Sequence, residues 1–141
     1  MTFKGIFGAV QNSTFVRFAI VGGLGAITNL AIFYLLVDVL HKDPTLVSIS
    51  TFIFSLTQNY FLNHAWTFRK TLGGERISLI RYLKYFGSSL FGLAVNIGTL
   101  NLMFAIHSFK TKVLAQALGI LLGLVVNYIG SKYLAFKKKG S

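Results

Sequence analysis

Two stretches of the chain set amides, aromatics and cations in the same order. One runs from Asn59 to Lys70, NYFLNHAWTFRK; the other, sixty-eight residues later, runs from Asn127 to Lys138, NYIGSKYLAFKK. Asn59 and Asn63 stand four apart, as do Asn127 and Ser131, so each pair shares one face of a helix. An amide carries two N–H donors and a carbonyl acceptor, and a row of such groups suits a ligand rich in hydroxyls. Arg and Lys attract phosphate, and Arg can grip two of its oxygens at once. Because His64 and Arg69 follow the first row and Lys132 the second, each phrase reads as a polar row ending in positive charge. Its natural ligand is an anionic group decorated with hydroxyls.

Other chemistries lack their residues. The three acids are Asp38, Asp43 and Glu75, and none falls in the middle of an apolar stretch. Proton-coupled exporters of similar size need a titrating carboxylate buried in the bundle, so small-molecule export is disfavoured. No Ser/His/Asp set, P-loop or dinucleotide fingerprint is visible, and three histidines on separate segments make a weak ligand set. His41 and His107 sit at segment ends, away from any carboxylate, and read as bystanders. Cysteine is absent, which rules out disulfides and thiolate metal sites and leaves the redox compartment open. The expectation is a protein that is not an enzyme and uses no cofactor or metal.

The elements that position these residues are apolar. Of the 141 residues 54% are hydrophobic, with a mean hydropathy of +0.67; a water-soluble domain of this size needs more polar residues to cover itself, and a chain solvated by lipid does not. The net charge of +11 suggests nucleic acid at first sight. The cations, however, sit between and after apolar runs and form no stripe on a polar fold, so no nucleic-acid partner is expected. Four stretches approach the ~20 residues that cross a bilayer as helix: about 18–37, 46–68, 85–106 and 113–136, the second being the most polar. The first is too long for a signal peptide and lacks a small-residue cleavage site, so it is expected to be retained. Residues 1–14, with Phe3, Ile6 and Phe7, read as a cytoplasmic or interfacial segment, and 15–138 as one four-helix transmembrane domain. Pro44 lies in the first short connection, where a helix can restart.

Orientation follows from the flanking cations. Lys4 and Arg17 precede the first span; Arg69, Lys70, Arg76, Arg81 and Lys84 fill the loop after the second; Lys132, Lys137, Lys138 and Lys139 end the fourth. Only Lys42, Lys110 and Lys112 fall on the other side. Both termini and the middle loop are therefore expected in the cytoplasm of a multi-pass cell-membrane protein. The C-terminal lysines should meet anionic lipid headgroups, and Trp66, Phe68 and Phe136 read as interface anchors.

The repeated phrase belongs to a longer repeat. At an offset of 67, Arg17 meets Lys84, Phe18 meets Tyr85, Gly22 meets Ser89, Gly25 meets Gly92 and Asn29 meets Asn96; at 68, Asn59 meets Asn127, His64 meets Lys132 and Phe68 meets Phe136. Each half is then one helical hairpin entering from the same side, an all-α parallel repeat. Arg17 lies about 18 Å of helix from Asn29, and Phe68 about 13 Å from Asn59, so Asn29, Asn59, Asn96 and Asn127 are expected near the midplane. Intramembrane Asn can be interhelical glue. As a set, with Asn63 and Ser131 leading toward the cations, they read instead as a polar track. Arg17, His64, Arg69, Arg81, Lys84 and Lys132 are the candidate phosphate contacts, and the fitting ligand is an anionic lipid bearing a sugar. Carrying such a headgroup through hydrocarbon unaided is very costly.

Four spans in so short a chain, a first helix opening RFAIVGGLGAITN, a second ending NYFLNHAWTF and a fourth ending NYIGSKYLAF resemble the GtrA-like family over roughly Phe15 to Lys138. The resemblance implies a role in cell-surface polysaccharide synthesis: a flippase moving a polyprenyl-phosphate-linked monosaccharide to the outer leaflet after a membrane glycosyltransferase has loaded the lipid. By motif, Asn59, Asn63, Trp66 and Phe68 occupy the family phrase, with Asn127 and Ser131 its second copy. The family usually has a basic residue after the second Asn; His64 stands there, and Lys132 keeps the charge in the other copy. The competing reading is a non-transporting scaffold that recruits the glycosyltransferase. Four short helices leave little interior, so a homodimer is expected.

Overall fold

The computed structural model describes residue 8, residues 13–106 and residues 112–138. The expectations for Phe3, Ile6, Phe7, His107, Lys110 and Lys139 fall outside these residues. Every regular element described is helical: α1 (Thr14–Phe33) continuing into a π-helical stretch π1 (Tyr34–Val39), α2 (Pro44–Leu62) into π2 (Asn63–Thr67), the short α3 (Arg69–Leu72), the long α4 (Leu79–Ile106), and α5 (Lys112–Gly130) into π3 (Ser131–Ala135). Among the described residues three helical stretches, Thr14–Val39, Leu79–Met103 and Leu118–Ala135, are long and apolar enough to cross a membrane. The segment from Pro44 to Thr67 is not among them, because a row of Thr, Ser and Asn side chains runs through it.

Local chemistry sets the helix starts. Ser13 Oγ accepts from the Val16 amide at 3.3 Å and Asp43 Oδ1 from the Leu46 amide at 2.8 Å, each satisfying an amide that a first helical turn leaves open. Pro44 follows its cap, where its fixed φ suits the first turn. Leu72 is followed by Gly73 at φ 57°, a left-handed turn that ends α3 and lets its amide bond back to the Arg69 carbonyl.

The chain divides into two compact units, Met1–Gly74 and Glu75–Ser141. In the first, α1 packs against α2 and π2; in the second, α4 packs against α5 and π3. Polarity is arranged for a lipid solvent. Ile27 and Leu30 on α1 are 65% and 68% exposed, whereas Asn63 is 1% exposed and Ser131 fully buried. Apolar side chains face outward and polar ones meet between helices, as expected where the surroundings are hydrocarbon.

Candidate functional site

In the first unit the site is a row on one helix. Thr51, Ser55, Asn59, Asn63 and Thr67 recur every four residues along α2 and π2; Asn59 is half-buried and the other four are buried. Their partners lie on α1. Thr51 donates its hydroxyl to Asn29 Oδ1 at 3.3 Å. The Asn59 amide lies over Gly25, so that a Cβ added to that glycine would fall 2.6 Å from Asn59 Cγ. Only a residue without a side chain lets the amide approach so closely. Asn29 therefore meets Thr51, about 12 Å of helix away from Asn59, and the expected single layer of amides becomes two levels within this unit.

At the end of the row sits Arg17. Expected as a cytoplasmic phosphate contact, it is 8% exposed and donates through Nη1 to the Trp66 carbonyl at 3.0 Å. The last carbonyls of a helix have no partner within it, and a cation there also meets the negative end of the helix dipole. The guanidinium stands 6.0 Å from the Trp66 ring centroid, near the limit of a cation–π contact. Three buried polar atoms along this interface have no hydrogen-bond partner among the described residues: Asn59 Oδ1, Thr67 Oγ1 and Arg17 Nε. A buried polar atom left in this state costs about 1–3 kcal/mol.

The second unit places a smaller row at the matching positions. Gly119, Gly123, Asn127, Ser131 and Ala135 again recur every four residues. A Cβ on Gly92 would lie 2.7 Å from the Gly123 carbonyl oxygen, and one on Gly123 2.6 Å from that of Gly92, so α4 and α5 touch backbone to backbone. Asn96 lies against Gly119 and Gly123, and Asn127 against Gly92. Here the amide carbonyl is satisfied: Asn127 Oδ1 accepts from both Ser89 and Ser131, each at 3.3 Å. Arg81, also expected at the phosphate, is 6% exposed and donates through Nε to the Ala135 carbonyl (3.0 Å), through Nη1 to the Arg76 carbonyl (2.9 Å) and through Nη2 to Glu75. Its charge is engaged inside the fold.

The π turns shape both row ends. The amides of Phe68 and Phe136 bond to the carbonyls of Asn63 and Ser131, five residues back, each at 2.8 Å. This wider turn points two consecutive residues inward, so Thr67 with Phe68, and Ala135 with Phe136, are buried. Phe68 meets Phe18 edge-on at 6.2 Å, and Phe136 meets Tyr85 at 5.7 Å. These two rings thus pack between helices, where a lipid–water interface cannot reach them; of the three expected anchors only Trp66, 41% exposed, keeps an open face. Among the expected phosphate contacts, Arg69 and Lys84 are exposed, and Lys132 is half-buried with Nζ 5.3 Å from the Tyr133 ring and 5.8 Å from that of Tyr128. His64 is half-buried, its ring tilted against Tyr60 at 6.2 Å.

Sequence reading missed Thr51, Ser55 and Thr67 in one row and Gly119 and Gly123 in the other. The signal was the unbroken four-residue spacing, hidden because Thr, Ser and Gly are unremarkable singly.

Comparison with known proteins agrees with this architecture. Residues 17–136 match the family described as GtrA/DPMS, transmembrane domain. The chain is also 28% identical over 122 residues to the uncharacterized membrane protein YwcD of Bacillus subtilis (strain 168), an alignment covering 86% of this chain and 94% of that protein. Apolar helices, buried polar rows and this match over nearly the whole chain lead to one assignment: the protein is a multi-pass membrane protein belonging to the GtrA/DPMS transmembrane-domain family.

Proposed function

We propose that the protein is a flippase that moves a polyprenyl-phosphate-linked monosaccharide from the cytoplasmic to the outer leaflet of the cell membrane, for cell-surface polysaccharide synthesis or glycosylation. Family membership supports a link to polyprenyl-phosphate sugars. The observation that carries the transport reading is the set of buried, unpartnered polar atoms on Asn59, Thr67 and Arg17. Leaving them bare in hydrocarbon is costly, and a sugar's hydroxyls supply both the donors and the acceptors they lack. In this reading Asn29, Asn59, Asn63, Asn96, Asn127 and Ser131 line the headgroup path. Arg69, Lys84 and Lys132, which keep open surface, gather the phosphate, while Arg17 and Arg81 hold the helix ends.

The matching contacts of the two units support a parallel repeat of two hairpins: four spans in one domain over residues 15–138, with residues 1–14 and both termini cytoplasmic. The reaction makes and breaks no bond, and movement runs down the gradient set by consumption of the sugar outside. A membrane glycosyltransferase supplies the substrate, anionic lipids meet the terminal lysines, and a homodimer is the working assembly. The test is reconstitution in liposomes with a radiolabelled polyprenyl-phosphate sugar. Leaflet exchange should exceed that of empty vesicles; equal rates overturn the transport reading.

The scaffold reading has one observation in its favour: Asn127 Oδ1 already accepts from Ser89 on α4 and from Ser131 on its own helix, as the oxygen of a purely structural amide would. It predicts glycosyltransferase capture with no acceleration of lipid exchange.

A further inference from the structure

We propose that a groove on the second unit seats the first isoprene units of a polyprenyl phosphate, with the phosphate on Lys84. The proposal rests on the function reading above and says which unit grips the lipid. The groove has a volume of about 260 Å³ and lies between α4 and α5, bordered by Lys84, Gly87, Ser88, Phe91, Gly130 and Leu134. Two glycines make it. A Cβ on Gly130 would stand 2.7 Å from Ser88 Oγ, so the helices close tightly beneath. A Cβ on Gly87 would have nothing within 4 Å, so the missing side chain is open space.

Chemistry and size select the occupant. The walls are apolar apart from one exposed cation at the end, and Lys84 to Phe91 spans about 10 Å of helix. The volume equals roughly nine water molecules at ~30 Å³ each, which admits a short length of one hydrocarbon chain. A diacyl phospholipid brings two chains to one phosphate; a polyprenyl phosphate brings one. The repeat offers an internal comparison. Where the second unit has Gly87 and Gly130, the first has Ile20 and Leu62, and where it has the open Lys84 the first has Arg17 bonded to the Trp66 carbonyl. The glycines that make the groove are therefore particular to the second unit, while the unpartnered polar atoms found among the described residues are on the first.

The test uses the full chain in phosphatidylcholine nanodiscs titrated with geranylgeranyl phosphate, with geranylgeraniol and phosphatidic acid as comparison ligands. Gly87→Leu should fill the groove and weaken geranylgeranyl phosphate binding at least about tenfold while helix content by circular dichroism stays at the wild-type value. Lys84→Gln should weaken the phosphate about tenfold, the loss of one charged hydrogen bond, and leave the alcohol unchanged. Gly87→Ala, which adds a single methyl, should give an intermediate loss and keeps the test valid if the leucine variant does not fold. Unchanged binding by Gly87→Leu, or phosphatidic acid binding as tightly as the prenyl phosphate, overturns the proposal. A wild-type protein that binds in the expected pattern but does not speed leaflet exchange would overturn the transport reading and leave the groove standing. Exchange by wild type together with unaltered binding by Gly87→Leu would do the reverse.

Discussion

Asn59 and Asn127 occupy the same place in the two copies of the phrase, yet one amide carbonyl is buried without a partner and the other accepts two hydroxyls. The difference separates function from stability. Asn59→Ala removes a polar atom that the fold leaves unsatisfied, so its unfolding free energy in detergent should stay within about 1 kcal/mol of wild type, while liposome exchange should fall about tenfold, the equivalent of one lost interaction of ~1.4 kcal/mol. Asn127→Ala breaks one hydroxyl contact from Ser89 on α4 and one from Ser131 on its own helix, and should cost about 1–2 kcal/mol, the upper range for a hydrogen bond between membrane helices. Equal stability losses in the two variants would make both amides glue. The amides themselves are legible in the sequence, because an Asn inside an apolar run has no bland surface role. Their partners are not: Asn127 is met by Ser89, 38 residues away, and no spacing rule reaches so far. Arg17 and Arg81 show the same limit. Their charge is plain from composition, but each also reaches a backbone carbonyl far along the chain, 49 residues away for Arg17 and 54 for Arg81, which no residue type announces.

Between helices, the two units solve one packing problem with different residues. Gly119 and Gly123 let α5 meet α4 backbone to backbone, and at the matching positions of α2 stand Thr51 and Ser55, whose hydroxyls fill the space that contact would close. Small residues at a crossing gain van der Waals contact and bring amides within reach of each other. Alanine at Gly92 or Gly123 must push a carbonyl oxygen away from its present position, because the obstacle is backbone and cannot rotate aside. Each substitution should destabilise the second unit by about 1–3 kcal/mol. Gly98→Ala, on the same helix with nothing within 4 Å of the added methyl, should be neutral or slightly stabilising, since alanine is the better helix former. Thermal unfolding in detergent compares the three; a Gly98→Ala loss as large as that at Gly92 would show that the helix, and not the crossing, is what the substitutions disturb. The apolar helices and their repeat offsets are readable in advance from length and composition. The π turns are not, because a single added residue per turn is set by how Phe68 and Phe136 fit against Phe18 and Tyr85, a tertiary preference with no local signature.

At the scale of the molecule, the question is whether the chain crosses the membrane three times or four. Mean hydropathy picks out three stretches and passes over Pro44–Thr67, but an average treats all faces of a helix alike. The polar row on this segment is turned toward α1, and its outer surface presents Ile49, Ile53, Phe54 and Phe61, all exposed. Lipid meets that surface and not the average, and a helix with its polar groups against a neighbour can span a bilayer that would reject it alone. Four crossings put both termini on one side; three put them on opposite sides. The absence of cysteine makes the two cases separable by single-cysteine labelling at Lys42, Thr71 and Lys137, all exposed. With a membrane-impermeant maleimide on intact cells, Lys42→Cys should react while Thr71→Cys and Lys137→Cys should react only after permeabilisation. If α2 fails to cross, Thr71 and Lys137 both change sides and all three react from outside. That outcome would also strand the cations around Arg69 and Lys84 on the face opposite Arg17, against the charge bias that sets membrane orientation, and would remove the cytoplasmic entrance that lipid transport requires.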